Sequence, residues 1–356
     1  PWLVWTLSTI QIAVFIAELV NMGKYTGSPI ATKPSFNPMI GPSSYVLINM
    51  GARFTPCMHP IKGITDDSSI NFPCPNSTSL DTNVCTLTEL CGMNAMGMGV
   101  DAEGTLDPRQ WWRFITSIFL HAGFVHIIFN LLLQLKLGAD LERDIGVIRF
   151  FVVYMASGIG GFLLGGNFTP DGIASSGASG SLFGIIALDL LDLIFNWETY
   201  KNPARVLLIH IVEIVISFVI GLLPGLDNFS HIGGFIIGIL LGTALLRSPL
   251  KIRDPEGMSF KGIRTADGSD DKSFSFKGIF GGASDAGSPQ TIRDRSKRWY
   301  VWGAVRLAAL GLVVIYFALL IANFEKGGGS CSWCKYLSCL PVYDWCDSGT
   351  ISTTTN

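Results

Sequence analysis

Seven apolar stretches constrain this chain more than any other feature of its sequence, because each is close to the length that crosses a bilayer. About 20 apolar residues, at about 1.5 Å of helix rise each, span a hydrocarbon core about 30 Å thick. Charged residues make up only 15% of the chain, against about 25% in soluble proteins. The sequence therefore predicts an all-α polytopic membrane protein whose spans occupy residues 2–20, 124–141, 148–164, 179–195, 206–223, 229–246 and 301–323.

Lysine and arginine are distributed unevenly among the segments that join these spans. They cluster after the second, fourth and sixth spans and are absent from residues 165–172 and 224–228. Because short cytosolic loops are enriched in these residues, the N-terminus is predicted to be cytosolic and the C-terminus lumenal or extracellular. The first stretch lacks the basic start and the small-residue cleavage site of a signal peptide, so it is interpreted as a span.

All eight cysteines lie in segments that this orientation places outside the cytosol. Disulfides persist in oxidising compartments, so the distribution favours the secretory pathway, in the Golgi or the plasma membrane. A glycosylation sequon begins at Asn76 in the same first loop. Zinc binding by the Cys331-x-x-Cys334 pair is the alternative to a disulfide, and no histidine lies near it. The cysteines are Cys57, Cys74, Cys85, Cys91, Cys331, Cys334, Cys339 and Cys346.

The spans divide the chain into a six-helix core and one further helix. The core covers residues 1–247 and includes a long lumenal loop, residues 21–111, which we call the first loop. Residues 248–298 are rich in Gly, Ser, Asp and Lys without apolar periodicity, which predicts a disordered cytosolic linker. The seventh transmembrane helix occupies residues 299–323, and a cysteine-containing tail, residues 324–356, is predicted on the lumenal or extracellular side.

A set of four polar side chains lies near the starts of three spans, where lipid makes polar groups costly. His126 and Asn130 are spaced i,i+4 and share one face of the second span. Ser179 opens the fourth span, and His231 lies at the start of the sixth. Because these three spans run in the same direction, all four side chains are predicted at one depth, near the lumenal surface.

These four residues contain the groups that acyl-transfer chemistry needs. A serine hydroxyl becomes a nucleophile when a base removes its proton, so Ser179 is predicted as the nucleophile and His231 as the base. Backbone N–H groups at the start of a helix lack intrahelical partners and can stabilise an oxyanion. The N–H of Ser179 is therefore a candidate oxyanion donor, together with the side chains of Asn130 and His126.

The sequence offers no clear carboxylate to orient His231. Asp189 and Asp192 lie 10 and 13 residues beyond Ser179, and so about 15 and 20 Å deeper on a continuous helix. Asp227 precedes His231 closely but is expected in a solvated loop. A Ser–His dyad is therefore favoured over a triad.

Glycines at four-residue spacing on two spans predict close helix packing. Gly180 and Gly184 belong to the fourth span, and Gly234 and Gly238 belong to the sixth. Such pairs let two helix backbones approach each other, which a short serine–histidine distance requires. On the fifth span, a histidine and a glutamate spaced i,i+3 are expected to pair, namely His210 and Glu213.

Four motifs extend this set of residues over positions 111–246. They are Trp112-Arg113, His121-Ala122-Gly123-x-x-His126-x-x-x-Asn130, Gly177-Ala178-Ser179-Gly180-x-x-x-Gly184 and His231-x-x-Gly234-x-x-x-Gly238. In combination they resemble the rhomboid family of intramembrane serine proteases. The seventh helix is similar to the six-plus-one arrangement of eukaryotic secretase-type members, and the cysteine-bearing first loop resembles that of fungal members. The resemblance implies a six-helix rhomboid core plus one C-terminal transmembrane helix.

The resemblance also implies roles for the matching residues. Ser179 and His231 correspond to the catalytic pair, and His126 and Asn130 to the oxyanion site beside the Ser179 N–H. Phe183 stands where some members have a tyrosine packed beneath the histidine, so the stacking is expected to remain while a hydroxyl is lost.

In the first loop, Gln110 stands where some members have glutamate before the Trp-Arg pair. Trp112 and Arg113 are implied to brace the site from a partly submerged loop.

The implied function is an intramembrane serine endopeptidase that cleaves single-pass membrane proteins, within or near their transmembrane segment, in the lipid bilayer. One alternative is a catalytically inactive rhomboid-like protein that binds membrane clients, although binding alone gives no reason to retain both Ser179 and His231. Another is a seven-span transporter or receptor, which would be expected to place charges near the bilayer midplane. No cofactor or metal is implied, and a net charge of −2 gives no indication of a nucleic-acid partner.

Overall fold

Helices form most of the part of the chain that the computed structural model describes, which is residues 1–33, 35–67, 69–77, 84–222, 227–253, 297–329, 331 and 333–337. The predicted all-α membrane fold is confirmed at this level. Most of the predicted linker, residues 254–296, and of the predicted tail, residues 338–356, lies outside the described residues.

The longer helices overlap the predicted spans, and short helices lie between them. They are α1 (Trp2–Thr26), α2 (Ser44–Met50), α3 (Leu87–Cys91), α4 (Arg113–Thr116), α5 (Phe124–Leu133), α6 (Ala139–Ile145), α7 (Val147–Phe168), α8 (Ser179–Phe195), α9 (Pro203–Ile220), α10 (Asn228–Leu245), α11 (Leu250–Arg253) and α12 (Lys297–Glu325). A π-helical turn, Gln134–Gly138, joins α5 to α6. Among the described residues, five segments are long and apolar enough to cross a membrane: α1, α5 with α6, α7, α10 and α12. Helices α8 and α9 are not among these five segments, so the count of seven spans stays a prediction.

A buried polar network joins α1, the π-helical turn and α7. The amide of Gln134 donates to Ser8 Oγ at 2.8 Å and to Gln11 Oε1 at 3.0 Å. The Tyr154 hydroxyl donates to Gln134 Oε1 at 2.6 Å. Because an unpaired polar group in hydrocarbon costs several kcal/mol (about 2–7 kcal/mol), mutual hydrogen bonding makes these side chains tolerable between membrane helices.

Helix α12 packs against the outer side of α7 and α10. The Tyr316 hydroxyl donates to the Gly160 carbonyl at 2.9 Å. Near the other end, Asn323 donates to Asn167 Oδ1 at 2.6 Å, and Asn167 donates to the Leu320 carbonyl at 3.1 Å. Such side-chain hydrogen bonds between helices hold α12 against the core.

The first loop folds as a small disulfide-linked unit. It contains α2, α3 and two antiparallel hairpins, β1 (Phe72–Pro73) with β2 (Val84–Cys85) and β3 (Met98–Val100) with β4 (Leu106–Pro108). Its apolar core includes Ile48, Phe54 and Leu90. Disulfides join Cys57 to Cys91 and Cys74 to Cys85.

A third disulfide joins Cys331 to Cys334, which removes the two thiolates that the zinc alternative needs. In the described part of the chain, no group of three or more His, Cys, Asp or Glu residues could hold a metal ion. Cys339 and Cys346 lie outside the described residues.

Candidate active site

Two helix starts bring Ser179 and His231 together. Ser179 is the first residue of α8, and His231 lies in the first turn of α10. Their side chains meet with Ser179 Oγ 2.9 Å from His231 Nε2. At this distance the hydroxyl can donate a hydrogen bond to a neutral imidazole, which is the geometry that a general base requires.

Close contact between α8 and α10 makes this short distance possible. A Cβ atom added to Gly234 would lie 2.0 Å from the Gly180 carbonyl oxygen, and one added to Gly238 would lie 2.6 Å from the Gly184 Cα. Any side chain at either α10 position would therefore separate the two helices. The glycines predicted to pack do meet one another, and they set the spacing of the helices that carry the serine and the histidine.

The imidazole of His231 rests on an aromatic ring. The ring of Phe183 is stacked under it, with centroids 4.4 Å apart and planes 17° from parallel. Phe183 also contacts Phe218 of α9, and the centroids of these two rings are 4.9 Å apart. This packing fixes the plane of the imidazole without donating a hydrogen bond to it.

Two polar side chains, His126 and Asn130, lie against the backbone of Gly177, two residues before Ser179, and form a group that we call the polar recess. Gly177 has a φ of 124°, and a Cβ there would lie 2.5 Å from His126 Cε1 and 3.6 Å from Asn130 Nδ2. The Asn130 amide nitrogen is buried and donates to no group among the described residues. The side chains of His126 and Asn130 thus lie together beside the segment that leads into α8, whose first N–H groups lack intrahelical partners.

A second histidine, His121, lies behind this recess. Its ring contacts the His126 ring edge to face, with centroids 5.4 Å apart. Burial, followed by the proximity of His126, lowers the pKa of His121 to about 3. The imidazole is therefore neutral near pH 7 and places no positive charge beside the recess. The backbone N–H of His121 donates to Glu18 Oε1 of α1 at 3.0 Å.

Arg113 ties the first loop to the segment that precedes α5. Its guanidinium is fully buried and donates to the carbonyls of Ile48, Ala52 and Cys91 at 2.6–2.7 Å. Its Nε donates to Gln110 Oε1 at 2.7 Å. The planar guanidinium has several N–H donors, so it can bind all of these oxygen atoms at once.

The prediction that Asp227 lies in a solvated loop is wrong. The residue is 6% exposed, because its carboxylate caps α10 and pairs with the buried Arg53 of the first loop. It accepts hydrogen bonds from the N–H groups of Phe229 and Ser230 at 3.1 and 3.4 Å. Asp227 does not bond to His231, whose Nδ1 has no partner among the described residues. The Ser–His dyad stays a prediction, because the buried Asp227 carboxylate is bonded elsewhere.

The expected pairing of His210 with Glu213 is also wrong. His210 Nε2 lies 2.5 Å from Asp189 Oδ2 on α8, and its Nδ1 lies 2.8 Å from the Val206 carbonyl oxygen. The neighbouring helix offers a carboxylate at the right depth, so the pair forms between α8 and α9 rather than along α9. Asp189 and Asp192 remain away from His231, as their sequence spacing indicated.

Comparison with known proteins shows which family has this kind of sequence. Residues 108–248 match the family model of the Rhomboid domain. The chain is 48% identical to Rhomboid-type serine protease 2 of Emericella nidulans, over 98% of this chain and 72% of that protein. The chain belongs to the rhomboid family. It is also similar to RHOMBOID-like protein 2 of Arabidopsis thaliana, at 34% identity over 67% of this chain and 66% of the relative. Inactive rhomboid protein 1 of Callithrix jacchus is 30% identical over 67% of this chain and 23% of the relative.

Family membership confirms the rhomboid prediction, the multi-pass membrane fold and the enzyme class, a rhomboid-type serine protease. The matched domain covers neither α1 nor α12, nor most of the first loop, whereas the similarity to the Emericella protein covers 98% of the chain. The roles of the individual site residues stay predictions.

Two departures from the rhomboid pattern have a structural explanation. Phe183 keeps the stack under the histidine without a hydroxyl. Gln110 accepts from Arg113 and also donates to the Met96 carbonyl at 2.7 Å, which a glutamate could not do. The neighbouring Trp112 donates its indole N–H to the Met93 sulfur at 3.2 Å.

Sequence reasoning missed two charged residues next to the site of this rhomboid. Glu18, fully buried on α1, supports the backbone at His121. An acidic residue within an apolar span was a signal that could have identified it. Arg53, which pairs with Asp227, gave no such signal because it lies in a loop of ordinary composition.

Proposed function

We propose that this rhomboid is an active intramembrane serine endopeptidase that cleaves single-pass membrane proteins within or near their transmembrane segment. The observation that carries the proposal is the 2.9 Å distance between Ser179 Oγ and His231 Nε2, on two helices that the glycines hold in contact. The sequence similarity to a rhomboid-type serine protease over nearly the whole chain supports the same reaction.

The proposed reaction proceeds through an acyl-enzyme. His231 Nε2 takes the proton of the Ser179 hydroxyl while the oxygen attacks the substrate carbonyl carbon. The resulting oxyanion accepts hydrogen bonds from the Ser179 N–H and from the Asn130 and His126 side chains. His231 then gives its proton to the leaving amine, and the peptide C–N bond breaks. In the second half, His231 takes a proton from water while the water oxygen attacks the ester carbonyl carbon. The bond between that carbon and Ser179 Oγ then breaks, the carboxylic acid product leaves, and Ser179 regains its proton from His231.

In this proposal the orientation of the base comes from packing instead of from a carboxylate. The Phe183 ring holds the plane of the imidazole, and the cap at Asp227 holds the first turn of α10, on which His231 lies. Both act before substrate binds, so the imidazole does not need to reorganise during the reaction.

The position of the site also supports a membrane-protein substrate. Ser179 and His231 lie at the starts of their helices, at the end of the bundle that the first loop covers, and Ser179 is partly exposed there. A helical substrate hides its carbonyl groups in hydrogen bonds and must unwind before one can reach Ser179. Substrates with glycine or other weak helix formers near that membrane surface are therefore expected to be cleaved best.

The test compares two serines that lie two residues apart. Ser179→Ala is expected to abolish both cleavage of a single-pass reporter and covalent labelling by a fluorophosphonate, because it removes the nucleophile. Ser181→Ala is the matched control: Ser181 is buried on the same helix and packs against Gly158, away from the base. Purified proteins would be assayed in detergent and in vesicles for labelling by gel and for the released fragment by mass spectrometry.

Retention of cleavage or labelling in the Ser179→Ala protein would remove the proposed nucleophile. A wild-type protein that neither labels nor cleaves would favour the client-binding alternative, since the family also contains a relative named Inactive rhomboid protein 1, from Callithrix jacchus.

We further propose that the first loop and the active site face the lumen or the exterior in the secretory pathway, with the N-terminus in the cytosol. Two disulfides in the first loop support this orientation. Asn76 is exposed in the same loop, so we expect a glycan there that an endoglycosidase removes and that Asn76→Gln prevents. Gel mobility of the protein from a eukaryotic host measures both effects.

The matched control for orientation is Glu198→Thr, which completes a sequon beginning at Asn196 on the predicted cytosolic side. This site is expected to remain unmodified. A glycan at Asn196 together with an unmodified Asn76 would reverse the proposed orientation.

A further inference from the structure

Arg53 of the first loop is joined by its backbone to the segment that leads into α8. Its N–H donates to the Ser175 carbonyl at 3.0 Å, and the Ser175 N–H donates to the Arg53 carbonyl at 2.9 Å. Ser175 lies four residues before Ser179, in the non-helical stretch before α8. The Arg53 N–H also donates to Ser117 Oγ at 2.6 Å, so a second hydrogen bond helps to hold the Arg53 backbone next to Ser175.

The side chain of the same residue reaches the start of α10. Arg53 Nη2 lies 3.2 Å from Asp227 Oδ2, and both side chains are almost completely buried, at 0% and 2% exposure. Asp227 lies four residues before His231. It accepts from the hydroxyls of Ser230 and Thr169, at 2.8 and 3.0 Å, in addition to capping α10.

One residue thus contacts the approaches to both predicted catalytic side chains. We propose that Arg53 is a positioning residue that sets the distance and angle between Ser179 and His231 from the first loop. Its backbone fixes the entry to α8, and its guanidinium fixes the first turn of α10. This inference rests on the proposed serine–histidine function.

The glycine contacts between α8 and α10 do not replace the contacts that Arg53 makes. Gly234 meets Gly180, and Gly238 meets Gly184 one turn further, within the two helices. Gly180 also lies against the Ser230 backbone in the first turn of α10, but none of these contacts reaches the Arg53 link to Ser175. The stretch before Ser179 is not helical, and Asp227 precedes the first residue of α10, so contacts with other parts of the chain hold both in place. Arg53 provides such a contact to both segments at once.

The position of Arg53 is itself held by the structure of the first loop. The preceding residue, Ala52, accepts a hydrogen bond from the buried Arg113, and the disulfide between Cys57 and Cys91 closes the segment that follows. The Trp-Arg motif and the disulfide therefore act on the catalytic pair through Arg53.

Burial excludes a direct contact between Arg53 and substrate. Its side chain is fully buried, and its Nη1 and Nη2 atoms face Thr55 and Asp227. A substitution should therefore change kcat and leave KM unchanged. A misplacement of about 1 Å in a catalytic group lowers the rate by about 10²-fold, which sets the scale of the expected effect.

The test compares Arg53→Met and Arg53→Lys with Arg109→Met. Arg109 is the matched control, because it pairs with Asp107 in the same loop but is exposed. For each purified protein, the folded fraction would be measured by size exclusion and thermal unfolding. The rate of fluorophosphonate labelling per folded molecule, kcat and KM would then be measured with a single-pass reporter.

We expect Arg53→Met to lower kcat and the labelling rate together, by about 10- to 100-fold, with KM within about twofold of wild type. Arg53→Lys keeps the charge opposite Asp227 without the planar fork, so we expect it to restore part of the loss and to remain about two- to tenfold below wild type. Arg109→Met should match wild type.

Several outcomes would overturn the proposal. A normal labelling rate per folded molecule, with less folded protein, would make Arg53 a folding residue only. A raised KM with normal kcat would place it at the substrate. If Arg53→Met does not fold, a wild-type labelling rate in Arg53→Lys would be decisive against it. Persistent labelling of Ser179→Ala would instead overturn the proposed function, so the two failures are distinguishable.

Discussion

Replacing His231 by glutamine is expected to lower kcat by about 10⁴- to 10⁶-fold, because His231 Nε2 is the base that lies within hydrogen-bond distance of the Ser179 hydroxyl. Glutamine keeps a polar group of similar size on the Phe183 ring but cannot take a proton at neutral pH. Cleavage of a single-pass reporter by purified protein, followed under single-turnover conditions, measures the loss. KM is expected to change little, since the imidazole acts on the reacting atoms.

His210→Gln is the matched control for this substitution. His210 is another histidine within the helices, but it pairs with Asp189 between α8 and α9 and does not approach Ser179. We expect its kcat to stay within about tenfold of wild type. The double variant Ser179→Ala with His231→Gln should be no slower than either single variant, because the two groups act as a unit. Losses that multiply, or a His231→Gln enzyme within tenfold of wild type, would contradict the dyad.

The second large effect is expected from a single methyl group at Gly234. In Gly234→Ala the new Cβ would lie 2.0 Å from the Gly180 carbonyl oxygen, which is backbone and cannot rotate away. Helices α8 and α10 must then move apart, at a cost of about 3 kcal/mol or more. The same movement separates the serine from the histidine, and we expect kcat to fall by about 10²-fold. Thermal unfolding in detergent and reporter cleavage measure the two effects.

Gly311→Ala provides the control on α12. A Cβ there would meet nothing within 4 Å, and alanine favours a helix over glycine by about 1 kcal/mol. We therefore expect unchanged activity and no loss of thermal stability. If Gly234→Ala behaved like Gly311→Ala, the close approach of α8 and α10 would not be what holds the catalytic pair together.

The helices and the central pair could be predicted because lipid imposes a simple rule on sequence. Hydrocarbon excludes charge over about 20 residues, so the spans are visible as apolar runs, and a polar residue within them stands out. Ser179, His231 and Asn130 were identified in this way. Helix ends were less predictable: α1 continues to Thr26 because its last turns leave the apolar run and pack against the first loop.

The first loop could not be predicted in the same way. Its fold depends on contacts between residues that are distant in sequence, such as the pair of Arg53 and Asp227, which are 174 positions apart. Neither residue type is unusual in a loop, and the sequence around Asp227 predicts a solvated side chain because it does not reveal Arg53 as the partner. The pairing of the four cysteines was likewise undetermined, because spacing alone permits every combination.

The position of α12 in the bundle affects how other membrane proteins can reach the site by diffusing in the bilayer. This helix packs against α7 and α10, and Tyr316 and Asn323 hydrogen-bond it to α7. A protein diffusing in the plane of the bilayer cannot reach His231 across that flank without displacing α12. Encounters are thereby confined to the remaining perimeter of the core. Although α12 contributes no group to the reaction, it limits the sides of the bundle from which another membrane protein can approach the site.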